Sequence, residues 1–313
     1  MATPPVLVLG FNRPHLTKRL LTSLAQSRPE SIIFSVDGPR DDRPDDHLLV
    51  SRTQELVNSI NWPCRIETRF RKNNLGLRRA VVDAVSHATS QFGQVIVVED
   101  DIEVGPNFLP YMNQALDKYG PDNTIGHING YNVVPEGRLA RSPGDRRTRY
   151  IESFAWATWD RSWREFDDSL SWALDAPTKD LVAVVGSRLG AIRWRRTFKD
   201  AQHELIDTWA YRWLATMWSH NWMTVSPSEN LVRYNGWLEG THTRRKPKWT
   251  ELPVKNHLLD FQDSSWSQLA EDDVGADSWL GATVFGESIV GVMEGALVSL
   301  LLSRISAGKG RGR

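Results

Sequence analysis

The chain has 313 residues, and its 38 Lys and Arg residues balance its 38 Asp and Glu residues, so the formal net charge is zero. A chain without net charge has no long-range field that draws it to nucleic acid, so we expect no nucleic-acid partner and only locally held anions. Because 40% of the residues are hydrophobic, 24% are charged and the mean hydropathy is −0.41, the composition excludes a multi-span membrane protein and a disordered chain.

The first hundred residues alternate apolar strands with helices, in units of the length that a βαβ crossover needs. Strands are predicted at 5–11, 31–37, 65–70 and 94–100, with helices that begin at Pro14, near residue 45, at Leu77 and at Pro106. The first and last of these strands are apolar enough to be central parallel strands. A mainly parallel sheet that is flanked by helices is therefore predicted.

The second half of the chain is less regular. Strands are predicted at 124–130 and 150–159, and helices at about 192–202 and 207–220. The segment from Pro135 to Arg149 carries five arginines and is predicted to be a mobile loop.

An apolar segment at 284–302 is interrupted by Glu287 and Glu294 and is followed by a basic tail. We expect a helix that docks on the domain, with a peripheral contact to an anionic membrane as the alternative, rather than a membrane span.

The protein is expected in the cytoplasm. Its single cysteine, Cys64, excludes an internal disulfide and suits a reducing compartment, and no secretory leader precedes the first predicted strand. A membrane contact through the carboxyl-terminal segment would place it at the inner membrane face.

Polar side chains follow each of the four predicted strands at its carboxyl end. They are Asn12 and Arg13, then Asp37, then Arg71 and Asn74, and finally Glu99, Asp100 and Asp101. In a parallel α/β sheet the ligand site lies beyond these ends. A single polar residue after a strand is usually a turn former or a helix cap, but four such ends together predict a binding site.

The sequence VIVVEDD delivers three consecutive acids, Glu99 to Asp101, into the loop after a strand. Carboxylates this close repel one another, whereas with a divalent cation they become hard oxygen ligands. The alternative is an acidic approach to the next helix. No Walker-type phosphate loop and no dinucleotide fingerprint occurs, which favours a diphosphate bridged by a metal.

Several motifs together resemble the glycosyltransferases of the GT-A fold, and more narrowly the inverting N-acetylglucosaminyltransferase I type and its bacterial relatives. In chain order they are VLVLGFNRP, SVDGP, NLGLRRAV, VIVVEDDIEVGPNFLPYM, FAWATW, DTWAYRW and THT. The resemblance covers about residues 5–245. It implies a Rossmann-like α/β GT-A domain over 1–250, with a nucleotide-sugar-binding half (1–130) and an acceptor and catalytic half (131–250), before a carboxyl-terminal helical appendage at 251–313.

The resemblance also implies that Arg13 and Asp37 contact the nucleotide, with Asp37 at the base or ribose, and that Glu99 and Asp100 reach the ribose or metal-bound water. Together with Asn12, Arg71 and Asn74 from the strand ends, they form the predicted nucleotide-sugar site. Asp101 would hold Mn²⁺ or Mg²⁺ directly, and His242 of THT would be a second metal ligand or a diphosphate contact. The structural alternatives are an Arg13–Asp37 ion pair and an exposed loop histidine in a basic stretch.

The DTWAYRW segment supplies the implied catalytic base, Asp207, with Glu204 and Asp160 as the next candidates. The alternative role of Asp207 is to cap the following helix.

The tryptophans divide into two groups. Trp156 and Trp159 are predicted to stack on an acceptor sugar, whereas Trp209, Trp213 and Trp218 fall at helical spacing and are predicted to pack in the core.

The expected function is metal-dependent transfer, with inversion, of a hexosyl or N-acetylhexosaminyl group. The donor would be a nucleoside-diphosphate sugar, and the acceptor a hydroxyl of a carbohydrate or another molecule. A metal-dependent nucleotidyltransferase or phosphohydrolase, and a sugar-binding module without turnover, remain open as alternatives.

Overall fold

A computed structural model describes residues 3–236, 253–254, 258–261 and 263–309. The strands are β1 (Val6–Gly10), β2 (Ser31–Val36), β3 (Arg65–Phe70), β4 (Gln94–Glu99), β5 (Ile102–Val104), β6 (Ile125–Asn129), β7 (Asp145–Thr148), β8 (Ala155–Trp159), β9 (Met223–Pro227), β10 (Val232–Tyr234) and β11 (Glu271–Asp272). The α-helices are α1 (Pro14–Ser27), α2 (Pro44–Glu55), α3 (Leu77–Phe92), α4 (Phe108–Tyr119), α5 (Asp160–Trp163), α6 (Ser171–Asp175), α7 (Thr178–Val185), α8 (Arg188–Gln202), α9 (Ala210–Ser219), α10 (Ser264–Ser267), α11 (Val274–Thr283) and α12 (Ile289–Lys309). Two short 3₁₀ turns lie at Leu56–Ser59 and Glu136–Arg138.

One large sheet organises the described chain, with strand order β11-β7-β9-β6-β8-β4-β1-β2-β3. The strands β4, β1, β2 and β3 run parallel, and β8 is antiparallel to β4 and β6. The predicted mainly parallel α/β sheet is confirmed. Residues of β1, β2 and β4 are buried on both faces, as continuous apolar sequence predicts for central parallel strands.

The helices that cover the parallel strands largely follow their predicted pattern. Helix α1 begins at Pro14 and buries four leucines, and α3 buries Val81, Ala84, Val85 and Ala88. Leu77 belongs to the same 3.6-residue apolar pattern of α3 but is 42% exposed. Helix α4 begins at Phe108 rather than at Pro106.

The arginine-rich segment 135–149 is the main correction to the predicted fold. It was predicted to be a mobile loop, but its residues 145–148 form β7, antiparallel to the unpredicted strand β9. The Asp145 carboxylate accepts hydrogen bonds from Tyr111 Oη (3.0 Å), Tyr119 Oη (2.7 Å) and Lys118 Nζ (2.8 Å) of α4. Because these partners lie about thirty residues away, no local pattern reveals the strand.

Residues after 258 return to the domain. Strand β11 pairs with β7 at the edge of the large sheet, and Asp277 of α11 accepts a hydrogen bond from the Arg149 backbone N–H (3.0 Å). The described part of the predicted appendage is therefore tied into the sheet rather than separate. Within the described residues, no helix has the length and apolar character needed to cross a membrane.

An aromatic cluster fills the core of the second half. Trp156 of β8 stacks on Trp209 (ring centroids 4.9 Å apart) and on His127 (5.0 Å). The predicted core packing of Trp209, Trp213 and Trp218 is confirmed.

The prediction that Trp156 and Trp159 stack on an acceptor is wrong for this structure. Trp156 is fully buried and Trp159 is 6% exposed, with the Arg161 guanidinium 4.5 Å from its ring centroid. The physical reason is the position of β8 between β6 and β4, where both faces of the strand are covered.

Removal of the Asp145 carboxylate tests its role in the fold. In Asp145→Ala, two buried hydroxyls and an ammonium lose their common acceptor, so the free energy of unfolding should fall by about 3 kcal/mol. Urea unfolding measures the change, with the exposed Asp41→Ala as the control. If Asp145→Ala lost no more free energy of unfolding than Asp41→Ala, the structural role of Asp145 would be contradicted.

The buried His127 predicts a pH dependence of stability. Burial lowers the pKa of His127 from 6.5 to about 3, so below pH 6.5 the unfolded chain binds a proton that the folded chain does not. Its contribution therefore makes the free energy of unfolding fall as the pH falls, by up to about 1.4 kcal/mol per pH unit.

His127→Gln keeps an acceptor for the Trp213 indole N–H, which donates to His127 Nδ1 at 3.1 Å, but removes the titration. Urea unfolding across this pH range should show a flatter pH dependence in the variant, whatever its absolute stability. The exposed His47→Gln is the control variant, and equal slopes in His127→Gln and wild type would refute the prediction.

Candidate active site

A cavity of about 310 Å³ opens at the carboxyl ends of the parallel strands. Its lining residues are Leu9, Gly10, Phe11, Arg13, Ser35, Asp37, Arg40, Arg71, Asn74, Gly76, Leu77, Ala80, Val81, Glu99, Asp100 and Asp207. One wall is apolar and comes from β1 and α3, and the rim carries arginines and carboxylates. A concave apolar slot with a few convergent polar groups is the usual form of a small-molecule site.

Arg13 lies against the acids after β4, because β1 and β4 are neighbours in the sheet. Its Nη2 is 2.8 Å from Asp100 Oδ1, and its Nη1 is 3.1 Å from Asp101 Oδ2. The alternative of an Arg13–Asp37 pair is therefore wrong. Burial raises the pKa of Asp100 to about 7, and the Arg13 charge only partly opposes this rise.

The acidic cluster of Glu99, Asp100 and Asp101 has three carboxylates, and Arg13 brings only one positive charge to them. Burial raises the pKa of Glu99 well above its usual value, and the neighbouring Asp101 and Asp100 raise it further. Asp100 Oδ2 and Asp101 Oδ1 are buried and have no hydrogen-bond partner among the described residues. Unpartnered, buried carboxylate oxygens of consecutive residues are the type of ligand that a hard divalent cation prefers.

The described residues do not make up a complete metal site. No group of three or more His, Cys, Asp or Glu side chains within them is arranged to hold an ion. His242, the predicted second ligand, lies outside the described residues.

Asp37 anchors the turn that precedes α3. Its carboxylate accepts hydrogen bonds from the backbone N–H groups of Gly38 (2.9 Å), Leu75 (3.0 Å) and Gly76 (3.2 Å) and from Asn74 Nδ2 (3.0 Å). Gly76 needs its flexibility because its φ is +80°. Burial raises the pKa of Asp37, and these backbone N–H groups oppose the rise. A base or ribose contact by Asp37 stays a prediction.

Asn12 does not line the cavity. Its Nδ2 donates to Asp46 Oδ1 (2.7 Å), and Asp46 in turn accepts from Arg40 Nε (2.6 Å). These hydrogen bonds, that from Arg40 foremost, lower the pKa of Asp46 to about 2. Asn12 is therefore linked to the cavity only through Asp46 and Arg40. Arg40 lines the cavity, and its guanidinium lies 5.2 Å from the Phe11 ring centroid.

Arg40 was missed in the sequence, although it comes directly after the SVDGP motif. Arg71, which was predicted, lines the cavity, and its Nη1 donates to Ser35 Oγ at 2.9 Å.

Asp207 lies at the mouth of the cavity, with about half of its side chain exposed. Helix α9 begins at Ala210 and has no side-chain cap, so the alternative in which Asp207 is a helix cap is wrong. Two residues later, the Trp209 side chain hydrogen-bonds to Glu99. The DTW segment therefore touches both the cavity mouth and the acidic cluster.

Arg78 on the first turn of α3 is a second missed residue. It pairs with Asp207 (3.5 Å), Asp168 (2.7 Å) and Glu204 (3.1 Å), and so joins α3 to the second half of the chain. The NLGLRRAV motif contains it, but its partners come from segments about ninety or more residues away.

The other predicted bases differ in position. Glu204 shares Arg78 with Asp207, whereas Asp160 follows Trp159, which pairs with Gln94 at the amino end of β4. Asp160 therefore lies near the amino end of β4, whereas the cavity lies at its carboxyl end. This position excludes Asp160 as the base.

The chain matches the family model described as Glycosyl transferase family 2 over residues 6–164, just over half of its length. The protein belongs to this family, and its mainly parallel α/β sheet flanked by helices is that of the GT-A fold, as the sequence resemblance predicted. No curated protein sequence matches the chain.

Among solved structures, the chain is similar to a mannosyltransferase from Pyrobaculum calidifontis in complex with GDP-Man and Mn²⁺. The sequence identity is 16% and the TM-score 0.35, over 50% of this chain and 44% of that chain. The chain thus spans less than half the length of that protein, and a similarity at this level identifies no substrate.

Proposed function

We propose that the protein is a metal-dependent, inverting glycosyltransferase that uses a nucleoside-diphosphate sugar and an acceptor hydroxyl. The observation that carries this proposal is the composition of one cavity. The cavity contains an apolar slot, buried carboxylates with unpartnered oxygens, and a half-exposed aspartate at its mouth. These features match the three parts of a nucleotide sugar transfer: a base, a diphosphate and a reacting hydroxyl.

The apolar wall fits the nucleoside. Leu9, Leu77, Ala80 and Val81 line the slot, and Arg71 and Asn74 reach it from the loop after β3. A flat base can bury its faces on aliphatic side chains while the polar groups at the rim bind its edge or the ribose. Arg13 and Arg40 supply positive charge for the diphosphate.

Asp100 and Asp101 would hold the divalent cation, since each carries a buried oxygen without a hydrogen-bond partner among the described residues. When bound, Mn²⁺ or Mg²⁺ supplies positive charge that stabilises the leaving diphosphate. His242 is proposed as a further ligand or a diphosphate contact. Arg13 keeps both aspartates in place from the other side.

Asp207 is proposed as the catalytic base. The acceptor oxygen attacks the anomeric carbon as the bond to the diphosphate breaks, and the Asp207 carboxylate takes the hydroxyl proton. Arg78 holds this carboxylate at the cavity mouth, and the exposed side of Asp207 leaves room for an acceptor.

The finer features of the enzyme are proposals as well. On the sequence resemblance, we propose a transferase of the N-acetylglucosaminyltransferase I type that transfers a hexosyl or N-acetylhexosaminyl group in the cytoplasm. Release of a nucleoside diphosphate would support this reaction, whereas release of pyrophosphate or phosphate would indicate a nucleotidyltransferase or phosphohydrolase.

Substitution Asp207→Asn tests the base. The amide keeps the size of the side chain but accepts no proton, so kcat should fall by about 10²–10⁴-fold while the affinity for the nucleotide sugar is unchanged. Asp168→Asn is the matched control, because it also removes a carboxylate that pairs with Arg78. A kcat within a few-fold of wild type would show that Asp207 is not the base and would direct attention to Glu204.

Metal binding is tested by thermal stability, which needs no turnover, and then by transfer. Mn²⁺ should raise the melting temperature of the wild type, because an ion that binds only the folded chain at 100 times its Kd adds about 2.7 kcal/mol of stability. Chelator should reverse this shift and abolish transfer. Asp101→Asn should lose the Mn²⁺ shift, whereas Glu103→Gln, which pairs with Arg19 and Arg233, should keep it. A Mn²⁺ shift and transfer that persist in Asp101→Asn would overturn the metal site.

A further inference from the structure

Helix α12 docks on the domain through its small residues. Gly291, Gly295 and Ser299 recur at every fourth position and so share one face of the helix. A Cβ at Gly295 would lie 2.9 Å from Arg193 Nη1 of α8, and Ser299 Oγ donates to Asp200 Oδ1 of α8 at 2.7 Å. The close approach of α12 to α8 therefore depends on this small-residue face.

Within the described part of α12, six large apolar side chains are exposed, most of them on the side opposite its small residues. They are Ile289, Val290, Met293, Leu297, Val298 and Leu300, each between 54% and 66% exposed. A helix that only completed a soluble domain would turn these side chains inward and leave the small or polar ones outside. A contiguous exposed apolar face of this kind marks a contact with another apolar phase.

A cationic cavity of about 480 Å³ lies beside α12. It is lined by Thr178, Ala191, Ile192, Arg195, Arg196, Lys199, Asp200, His203, Leu205 and Ser299. Arg196, Lys199 and His203 lie at helical spacing on one side of α8 and its end. The acid of the cavity, Asp200, has one oxygen engaged by Ser299.

Arg195 has a different role from the other basic residues of the cavity. Its guanidinium donates to the carbonyls of Ala173, Leu174 and Ala176 and so holds the end of α6. The remaining positive charge, at Arg196 and Lys199, faces the cavity without an ion pair among the described residues. Together they form a site for an anion.

We infer that the α8–α12 surface binds an anionic phospholipid membrane. The apolar face of α12 lies in the plane of the interface, and a lipid phosphate occupies the cationic cavity. Stable anchoring needs an apolar and an electrostatic signal together, and here the two are adjacent. In sequence, α12 has no acidic residue after Glu294, while Arg304, Lys309, Arg311 and Arg313 follow.

A second copy of the chain fits this surface less well. A symmetric dimer places a patch against its own copy, and so would bring two cationic cavities near each other without a counter-charge. An anionic lipid surface supplies both the missing charge and an apolar layer.

The test is co-sedimentation of the full chain with vesicles. One set contains phosphatidylcholine alone, and the other contains phosphatidylcholine with phosphatidylglycerol. We expect binding to the anionic vesicles that weakens with salt, since exposed charges are screened. Arg196→Glu with Lys199→Glu should weaken that binding about tenfold or more. Met293→Ser with Leu297→Ser should also weaken it, because apolar area no longer enters the interface.

The matched control is Lys18→Glu with Arg52→Glu, which makes the same change of net charge on exposed positions of α1 and α2. It should bind anionic vesicles more strongly than the α8 double variant does. If the α8 glutamate variant fails to fold, Arg196→Gln with Lys199→Gln replaces it. Release of nucleoside diphosphate in the absence of vesicles should be unchanged in every folded variant, which separates this inference from the proposed reaction.

Three outcomes would overturn the inference. The first is equal vesicle binding by the α8 variant and the control. The second is self-association, measured by light scattering, that Leu297→Ser abolishes while no vesicle binds, since a second copy would then cover α12. The third is stabilisation by inorganic phosphate without vesicle binding, which would make the cavity a site for a soluble anion.

Discussion

The site depends on one electrostatic constraint, the meeting of Arg13 with the carboxylates that follow β4. The parallel pairing of β1 and β4 brings the two chain segments together. The guanidinium contacts both Asp100 and Asp101, but one positive charge cannot neutralise three neighbouring carboxylates. Burial makes the remaining imbalance costly, and two carboxylate oxygens stay unpartnered. The proposed cation would supply the missing positive charge, and the apolar wall beside it is the proposed place of the nucleoside.

In the second half of the chain, a buried aromatic core positions the residues that this half contributes to the candidate site. Trp209 belongs to the buried aromatic cluster and also hydrogen-bonds to Glu99, so the packing of indole rings positions an acid of the site. Asp207 lies two residues before Trp209, and Arg78 holds it from α3. Aromatic rings in contact have few alternative arrangements, which makes such a core a rigid support for residues at its edge.

At the edge of the sheet that contains β7, polar residues stabilise the fold. The strand β7 carries Asp145 and Arg146, both buried; Asp145 accepts hydrogen bonds from α4, and Arg146 Nη1 lies 3.5 Å from Asp277 Oδ1 of α11. Beyond it, α11 and α12 close the fold over α8. The outward apolar face of α12 is then the part of the described chain whose packing the domain leaves incomplete.

The sequence by itself determined the parallel half of the fold and most of the charged and polar side chains that line the cavity. Short, continuous runs of Val, Ile and Leu are typical of buried central strands, and a parallel sheet brings the residues after those strands to one side. Arg13, Asp37, Arg71, Asn74, Glu99 and Asp100 could therefore be predicted without coordinates, and all of them line the cavity. The tertiary structure alone decided which groups pair, because charge partners such as Arg13 and Asp101, or Arg78 and Asp207, are more than eighty residues apart. For the same reason only the structure shows that Trp156 is enclosed, that Asp145 begins a strand and that α12 turns its small residues inward: local periodicity describes one segment, and burial depends on what packs against it.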